Sequence, residues 1–280
     1  MNSTYRVEPG VDGMVAAAAR NACEQGVIRS AHLFASLDST NSEALRWLAN
    51  NERQLGASIA DWLPRLVITD SQTDGRGRHG NQWIASDDCL AMSLVGPFQS
   101  PCVSLAVGVA VAETLEHLAA PLQCGLKWPN DVWISKQKVA GILIERNAMA
   151  PDQIVIGIGV NLQAHPAIQD CRNPAVPPTS VLHGARRFVT RSDLLQTLLP
   201  SLTHWCHQSN VEPDLVQSAF RLRCQLEGHD VALEVAGDVV QGHCHGIDPS
   251  GGLRVAFGDR VRVIQSGDVR QIRSAGHIGS

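Results

Sequence analysis

Apolar and polar positions divide this chain into a long first part and a short last part. Met14–Glu24 is alanine-rich and predicts a short helix, either docked on a core or frayed at the chain end. Further on, Thr40 is followed three residues later by Glu43. That pair predicts a capping box opening a helix with Leu45 and Leu48 on its apolar face. "RLVIT" (Arg65–Thr69) is β-branched and predicts a buried strand. Val103–Leu118 is nearly all apolar over its first turns and predicts a core helix. "VWIS", a "KQK" turn, "VAGILIER" and "QIVIGIGVNL" (Gln153–Leu162) then predict consecutive strands joined by tight turns. Tight turns make that sheet at least partly antiparallel.

"NLQAHPAIQDCRNPAVPPTS" is rich in proline and polar residues and predicts a loop. Two helices are expected after it: Ser192–Gln208, which Pro200 should kink or divide, and Pro213–Leu226. Beyond Glu227–Gly228 the texture changes. "DVALEVAG", "VVQGHCHGI", "GLRVAF" and "RVRVIQ" are short strand patterns separated by Gly and Asp turns, which predicts a small β-barrel. The expected organisation is therefore an N-terminal extension (1–33), a main domain (34–226) and a small β domain (227–280), with no internal repeat.

Composition narrows the function classes. The chain has 280 residues, 44% of them apolar, enough for one large and one small domain. Its longest apolar run, around Leu105–Val111, is far short of the roughly 20 residues that span a bilayer. The N-terminus lacks the basic stretch and apolar core of a signal peptide. Eight cysteines are scattered without C-x-x-C spacing, which predicts reduced thiols in the cytoplasm. A net charge of −4 gives no reason to expect nucleic-acid binding by the chain as a whole.

The candidate chemistry begins at "DGRGRHG" (Asp74–Gly80). Gly75, Gly77 and Gly80 spell G-x-G-x-x-G, yet a dinucleotide-binding turn needs a strand ending at the first glycine and a helix starting in the motif. Here "DSQTD" separates strand from glycine, and "NQWIASDDCLAMSLVG" has no helical period. No P-loop is present either. The segment instead predicts a loop, mobile when empty, whose glycines allow close backbone approach and whose Arg76 and Arg78 offer planar forks for an anion. The bland alternative is a polar surface turn. "KWPNDVW" places Lys127 before a Pro-Asn-Asp turn. "KVAGILIE" places Lys138 before a strand interrupted by Gly141. "GIGVNL" places Gly157 and Gly159 in a strand ending at Asn161. Solvated edges and simple packing are the plain explanations of each.

Together with "DSTN" (Asp38–Asn41), "QTDGRGRHG" (Gln72–Gly80) and Trp83, these segments in this order resemble the biotin protein ligases, over roughly residues 34–275. "GIDPSGGL" and "SGDV" are similar to that family's C-terminal domain. The resemblance implies an α+β fold: a mixed β-sheet with flanking helices, related to class II aminoacyl-tRNA synthetases, followed by an SH3-like barrel. It implies two steps. The carboxylate of biotin attacks the α-phosphate of MgATP to give biotinyl-5′-AMP and pyrophosphate. A lysine of a biotin carboxyl carrier protein of acetyl-CoA carboxylase then displaces AMP.

By the same resemblance, Lys127 bridges the biotin carboxyl and the α-phosphate, and Arg78 sits at the phosphate–acyl junction. Ser39, Thr40, Asn41, Gln72, Arg76 and Gly77 contact biotin, while Gly141 lets its ring system lie on the backbone. Trp83, Asn130, Asp131, Lys138 and Asn161 serve ATP or Mg²⁺. No resident metal site is expected, since "HWCH" (His204–His207) and "HCH" (His243–His245) supply too few imidazoles on one face. Residues 1–33 are too short and too little basic for a winged helix-turn-helix, so operator binding is not expected. The rival functions are a lipoate or octanoate ligase of the same fold and a non-catalytic, biotin-sensing regulator. Intact Lys127 and Arg78 argue against the regulator.

Overall fold

The computed structural model describes residues 4–84, 86, 88–148, 150–168, 176–235 and 238–271. Strands β1 (Tyr5–Val7), β2 (Ser30–Leu37), β3 (Arg65–Gln72), β4 (Leu90–Gly96), β5 (Gly125–Lys127), β6 (Asp131–Ile134), β7 (Gln137–Asn147) and β8 (Ala150–Val160) form one mixed sheet. Its order is β1-β2-β3-β4-β8-β7-β6-β5. The first three strands are parallel, and every later pairing is antiparallel. Residues 5–33, expected as an extension, build β1, the helix α1 (Gly13–Glu24) and the start of β2 into this sheet and its core.

The period of two along the central strands sorts their side chains to two faces. Leu90, Met92 and Leu94 of β4 and Ile154, Ile156 and Ile158 of β8 join one large apolar core. Helices α1, α3 (Val103–Leu118), α5 (Arg191–Val211) and α6 (Pro213–Arg221) contribute to that core. On the opposite face Val67, Val95 and Val155 pack under Ala44 and Leu48 of α2 (Thr40–Leu55). Toward the other end of that face the strands carry Ser93, Gly157 and Gly159 instead. This second half of the face is left for a ligand.

Three local expectations are corrected. Thr40 does not cap α2. Ser39 does, its Oγ accepting from Ser42 N at 3.5 Å while its carbonyl accepts the first helix bond from Glu43 N, and Glu43 pairs with Arg46. Thr40 is drawn to Gln72 and Ser93 instead. Pro200 does not divide its helix: α5 runs unbroken from Arg191 to Val211, with Pro200 exposed and Leu198, Leu199 and Leu202 buried on the core side. Helix α6 stops at Arg221 rather than Leu226, because the following residues turn to pair with β5. Leu126 N donates to Arg223 O, and Gln225 N to Leu126 O. The short α4 (Val181–Ala185) follows the polar loop, in which 169–175 lie outside the described residues.

The last part folds as a second, five-stranded antiparallel sheet of β9 (Asp230–Val235), β10 (Asp238–Ile247), β11 (Leu253–Phe257), β12 (Arg260–Ile264) and β13 (Asp268–Gln271). Its order is β12-β11-β10-β9-β13. The Asp248–Gly252 turn of this sheet leans on the main domain, where Trp128 Nε1 donates to Gly251 O at 3.0 Å.

Candidate active site

A cavity of about 550 Å³ opens on the ligand half of the sheet. Its floor is set by strand register. Ala91, Gly159 and Gly141 stand in one row across β4, β8 and β7, and Ser93, Gly157 and Leu143 in the next. The missing side chains are needed. A Cβ at Gly157 would fall 2.2 Å from Asn41 Oδ1, and one at Gly159 would fall 2.4 Å from the Trp83 indole.

The motif residues singled out from the sequence come together around this cavity. Ser39, Thr40, Asn41 and Gln72 line one end, and Arg76, Gly77, Arg78 and Trp83 line the covering loop. Lys127, Asn130, Asp131, Lys138, Gly141 and Asn161 line the other side. Asp38 turns away. It clamps Arg46 with both oxygens, and that bond holds its carboxyl at about 2.

At the first end the polar side chains form one network. Gln72 Oε1 accepts from Thr40 N at 2.9 Å. Ser93 Oγ donates to Asn41 Oδ1 at 2.6 Å and lies 2.8 Å from Thr40 Oγ1. Asn41 Nδ2 donates to Leu143 O at 3.2 Å and to Glu145 Oε2 at 2.8 Å. With the Asn41 amide so engaged, its contribution to the cavity is a shaped wall. Ser93 and Glu145 were missed in the sequence. The only signals were a serine within an apolar strand and an acid at the end of another.

The covering loop is folded back on itself. Gly77 N donates to Asn81 O, and Trp83 N to Gly75 O. His79 and Gly80 take positive φ at its tip. Trp83 then lies over β7 and β8, where its ring also approaches a Cβ position at Gly141 at 3.0 Å. Trp83 therefore borders the space above Gly141, which still lines the cavity.

Electrostatics concentrate on the other side. Lys127, at the end of β5, is 7% exposed and lies 3.7 Å from Asp131. Lys138 Nζ reaches Asp131 at 2.6 Å. Burial alone would raise the Asp131 carboxyl, but Lys138 and then Lys127 outweigh it and hold it below the usual carboxylate range. Arg78 Nη1 points at Asn130 Oδ1 at 3.4 Å. Among the described residues the lining thus carries Arg76, Arg78, Lys127 and Lys138 against the single carboxylate Asp131. Trp83 Nε1 and Asn161 Oδ1 are buried there without a hydrogen-bond partner among the described residues. Such a cavity suits a ligand with an apolar body, several anionic oxygens and a few polar ring atoms.

Among the described residues no three His, Cys, Asp or Glu side chains converge as metal ligands. His243 and His245 stand side by side on β10, ring centroids 5.3 Å apart, with His243 Nδ1 held by Asp230. No disulfide joins two of the seven described cysteines. No described helix is long and apolar enough to cross a membrane.

Comparison with known proteins agrees with this geometry. Residues 35–161 match the Biotin/lipoate A/B protein ligase family. Over 256 residues the chain is 34% identical to the biotin–[acetyl-CoA-carboxylase] ligase of Mycobacterium tuberculosis, covering 88% of this chain and 90% of that protein. It is 31% identical over 230 residues to the protein of the same name from Paracoccus denitrificans, covering 79% and 92%. In fold it matches the biotin protein ligase of Aquifex aeolicus, solved in complex with biotin and ATP. There the TM-score is 0.72 at 22% identity, over 87% of this chain and 99% of that one. This chain belongs to the biotin/lipoate protein ligase family, on its biotin protein ligase branch.

Proposed function

We infer that this chain is an ATP-dependent biotin–protein ligase that joins biotin to a lysine of the biotin carboxyl carrier protein of acetyl-CoA carboxylase. The observation that carries the reading is the buried Lys127 ammonium, set with Lys138 and Arg78 on one side of a cavity whose opposite end is neutral and polar. A carboxylate approaching a triphosphate meets strong repulsion, and fixed cations lower that barrier. Lys127 is the group assigned between the biotin carboxylate and the α-phosphate. A biotin oxygen bonds to the α-phosphorus as the bond to the β-phosphate oxygen breaks, and pyrophosphate leaves. The carrier's lysine amine then attacks the acyl carbon, AMP departs, and the amine loses a proton.

Biotin is assigned to the Ser39, Thr40, Asn41 and Gln72 end, with the backbone of Arg76 and Gly77 above it. Arg78 is assigned to the acyl-phosphate. Trp83, Asn130, Asp131, Lys138 and Asn161 are assigned to ATP, and the orphaned Trp83 Nε1 and Asn161 Oδ1 support that placement. Asp131 is already shared by two lysines, so the residues do not build a magnesium cage. Mg²⁺ is accordingly assigned as the counter-ion that ATP brings with it.

The C-terminal sheet is taken as an SH3-like barrel beginning near residue 227, and the return of β13 beside β9 supports this. The strand–helix–strand use of residues 5–37 supports the expectation that they are not a DNA-reading module. The cysteines, scattered along the chain without C-x-x-C spacing, support a reducing compartment such as the cytoplasm. The deciding experiment incubates the chain with MgATP, a biotin carboxyl carrier domain and either biotin or lipoate, and weighs the carrier. A mass gain of one biotin is expected. A gain only with lipoate, or none, would overturn the reading.

A further inference from the structure

The covering loop carries two arginines, and the structure treats them differently. Arg78 points inward toward Asn130. Arg76 turns its guanidinium to Glu145, near the end of β7. Its Nη2 lies 2.5 Å from Glu145 Oε1, and its Nη1 donates to Ser42 Oγ at 3.3 Å. The other oxygen of the same carboxylate, Oε2, accepts from Asn41 Nδ2 at 2.8 Å. The proposed chemistry gives Glu145 no role, and it stands behind the cavity wall rather than in its lining.

We propose that Glu145 is a positioning residue that clasps the glycine-rich loop over the cavity through Arg76 while holding the Asn41 amide in the wall below. The inference rests on the ligase reading for its consequence, retention of the adenylate, but not for its geometry. The Arg76 charge is used on the clasp and not on the substrate. Gly75, Gly77 and Gly80 make the loop expensive to order, and Trp83 seats only its far end on the sheet. One cation–carboxylate pair sharing both carboxylate oxygens between loop and wall therefore latches the arginine end of the cover, beside the seat of Trp83 and the reach of Arg78 to Asn130 and Gly267. It also links the cover to the biotin end, since releasing Glu145 frees Asn41 as well.

The test is a double-mutant cycle on the full chain with Glu145→Gln, Arg76→Met and the double variant. Both side chains keep nearly their length, and circular dichroism checks the fold. Without any ligand, amide exchange at residues 75–82 is expected to quicken about three- to tenfold in each single variant. The double variant should be no faster than the worse single one, because both changes remove the same pair. With biotin and MgATP, release of preloaded biotinyl-AMP is expected to quicken by the same factor and with the same non-additivity. Unchanged exchange in Glu145→Gln, or additive effects in the double variant, would overturn the clasp. If the exchange cycle behaves as expected while the wild type forms no adenylate, the clasp stands and the ligase reading fails.

Discussion

The indole of Trp83 occupies the volume that a side chain at Gly159 would need: a Cβ there would lie 2.4 Å from the ring. Trp83 comes from the covering loop and Gly159 from β8, so the covering loop is seated on the sheet by one aromatic ring. Gly159→Ala must displace that ring, and inserting a methyl into such a packed contact costs about 1–3 kcal/mol. The Michaelis constant for ATP is expected to rise about tenfold, with a smaller change for biotin. Tryptophan emission should shift as the ring moves toward water. Steady-state kinetics with each substrate varied separately checks this, and equal constants to the wild type would refute the seating.

Lys127 is the group whose loss should hurt chemistry most. Removing one preorganised charge donor from a low-dielectric site costs about 3–4 kcal/mol in the barrier. Lys127→Ala should therefore slow pyrophosphate release about 100- to 1000-fold. The fold should persist, because Asp131 keeps its closer partner Lys138 at 2.6 Å. Biotin-dependent pyrophosphate exchange and a thermal melt together separate the two effects. Near-normal exchange would remove Lys127 from the first step.

Much of this site was legible in the sequence because its motifs are local. Lys127, Asn130 and Asp131 lie in one hairpin, and Arg76, Gly77 and Arg78 in one loop. The core helix Val103–Leu118 was also legible to the residue, since a run that is apolar on its first turns buries wherever it lies. What failed was set by distant partners. Thr40 looked like a cap, but its hydroxyl is spent on Gln72 and Ser93, in two other strands. Glu145 looked like a strand end, yet both its oxygens are held by residues from α2 and the covering loop. Pro200 left α5 undivided because Leu198, Leu199 and Leu202 bury the opposite side in the core, which outweighs the one backbone hydrogen bond it removes.

A pH dependence should come from His32. Its ring stacks on Phe34 with centroids 3.9 Å apart and is 12% exposed. Burial first, then Arg65 and Arg6, lower its pKa from 6.5 to about 4. The unfolded chain thus binds a proton in that window which the folded chain does not, so stability is full above pH 6.5 and falls toward pH 4. The imidazole still meets some water and lies 3.7 Å from Glu8, so about 1–2 kcal/mol is a fair share of the loss. His32→Leu should flatten that segment of the stability curve without touching ligation at neutral pH. Urea melts from pH 4 to pH 7 check it, and parallel curves for the two proteins would exclude His32 as the cause.

Trp128 ties the catalytic hairpin to the second sheet, and its loss should be felt in both. The ring follows Lys127 directly and is 2% exposed. Its Nε1 donates to Gly251 O, in a turn braced by Asp248, which accepts from Ser250 N and Gly251 N. Cys102 and Gln217 reach the neighbouring Pro249 carbonyl from the main domain. Trp128→Phe keeps an aromatic body in the core but removes the donor, leaving the Gly251 carbonyl without that partner. Such a loss costs about 1–3 kcal/mol when the group stays buried. Part should appear as a lower melting temperature. Part should appear in the first chemical step, because the hairpin that aims the Lys127 ammonium has lost one of its anchors. The expected result is pyrophosphate release slowed about three- to tenfold at saturating ATP and biotin, with little change in either Michaelis constant. A fall in stability alone, with turnover intact, would make the contact purely structural.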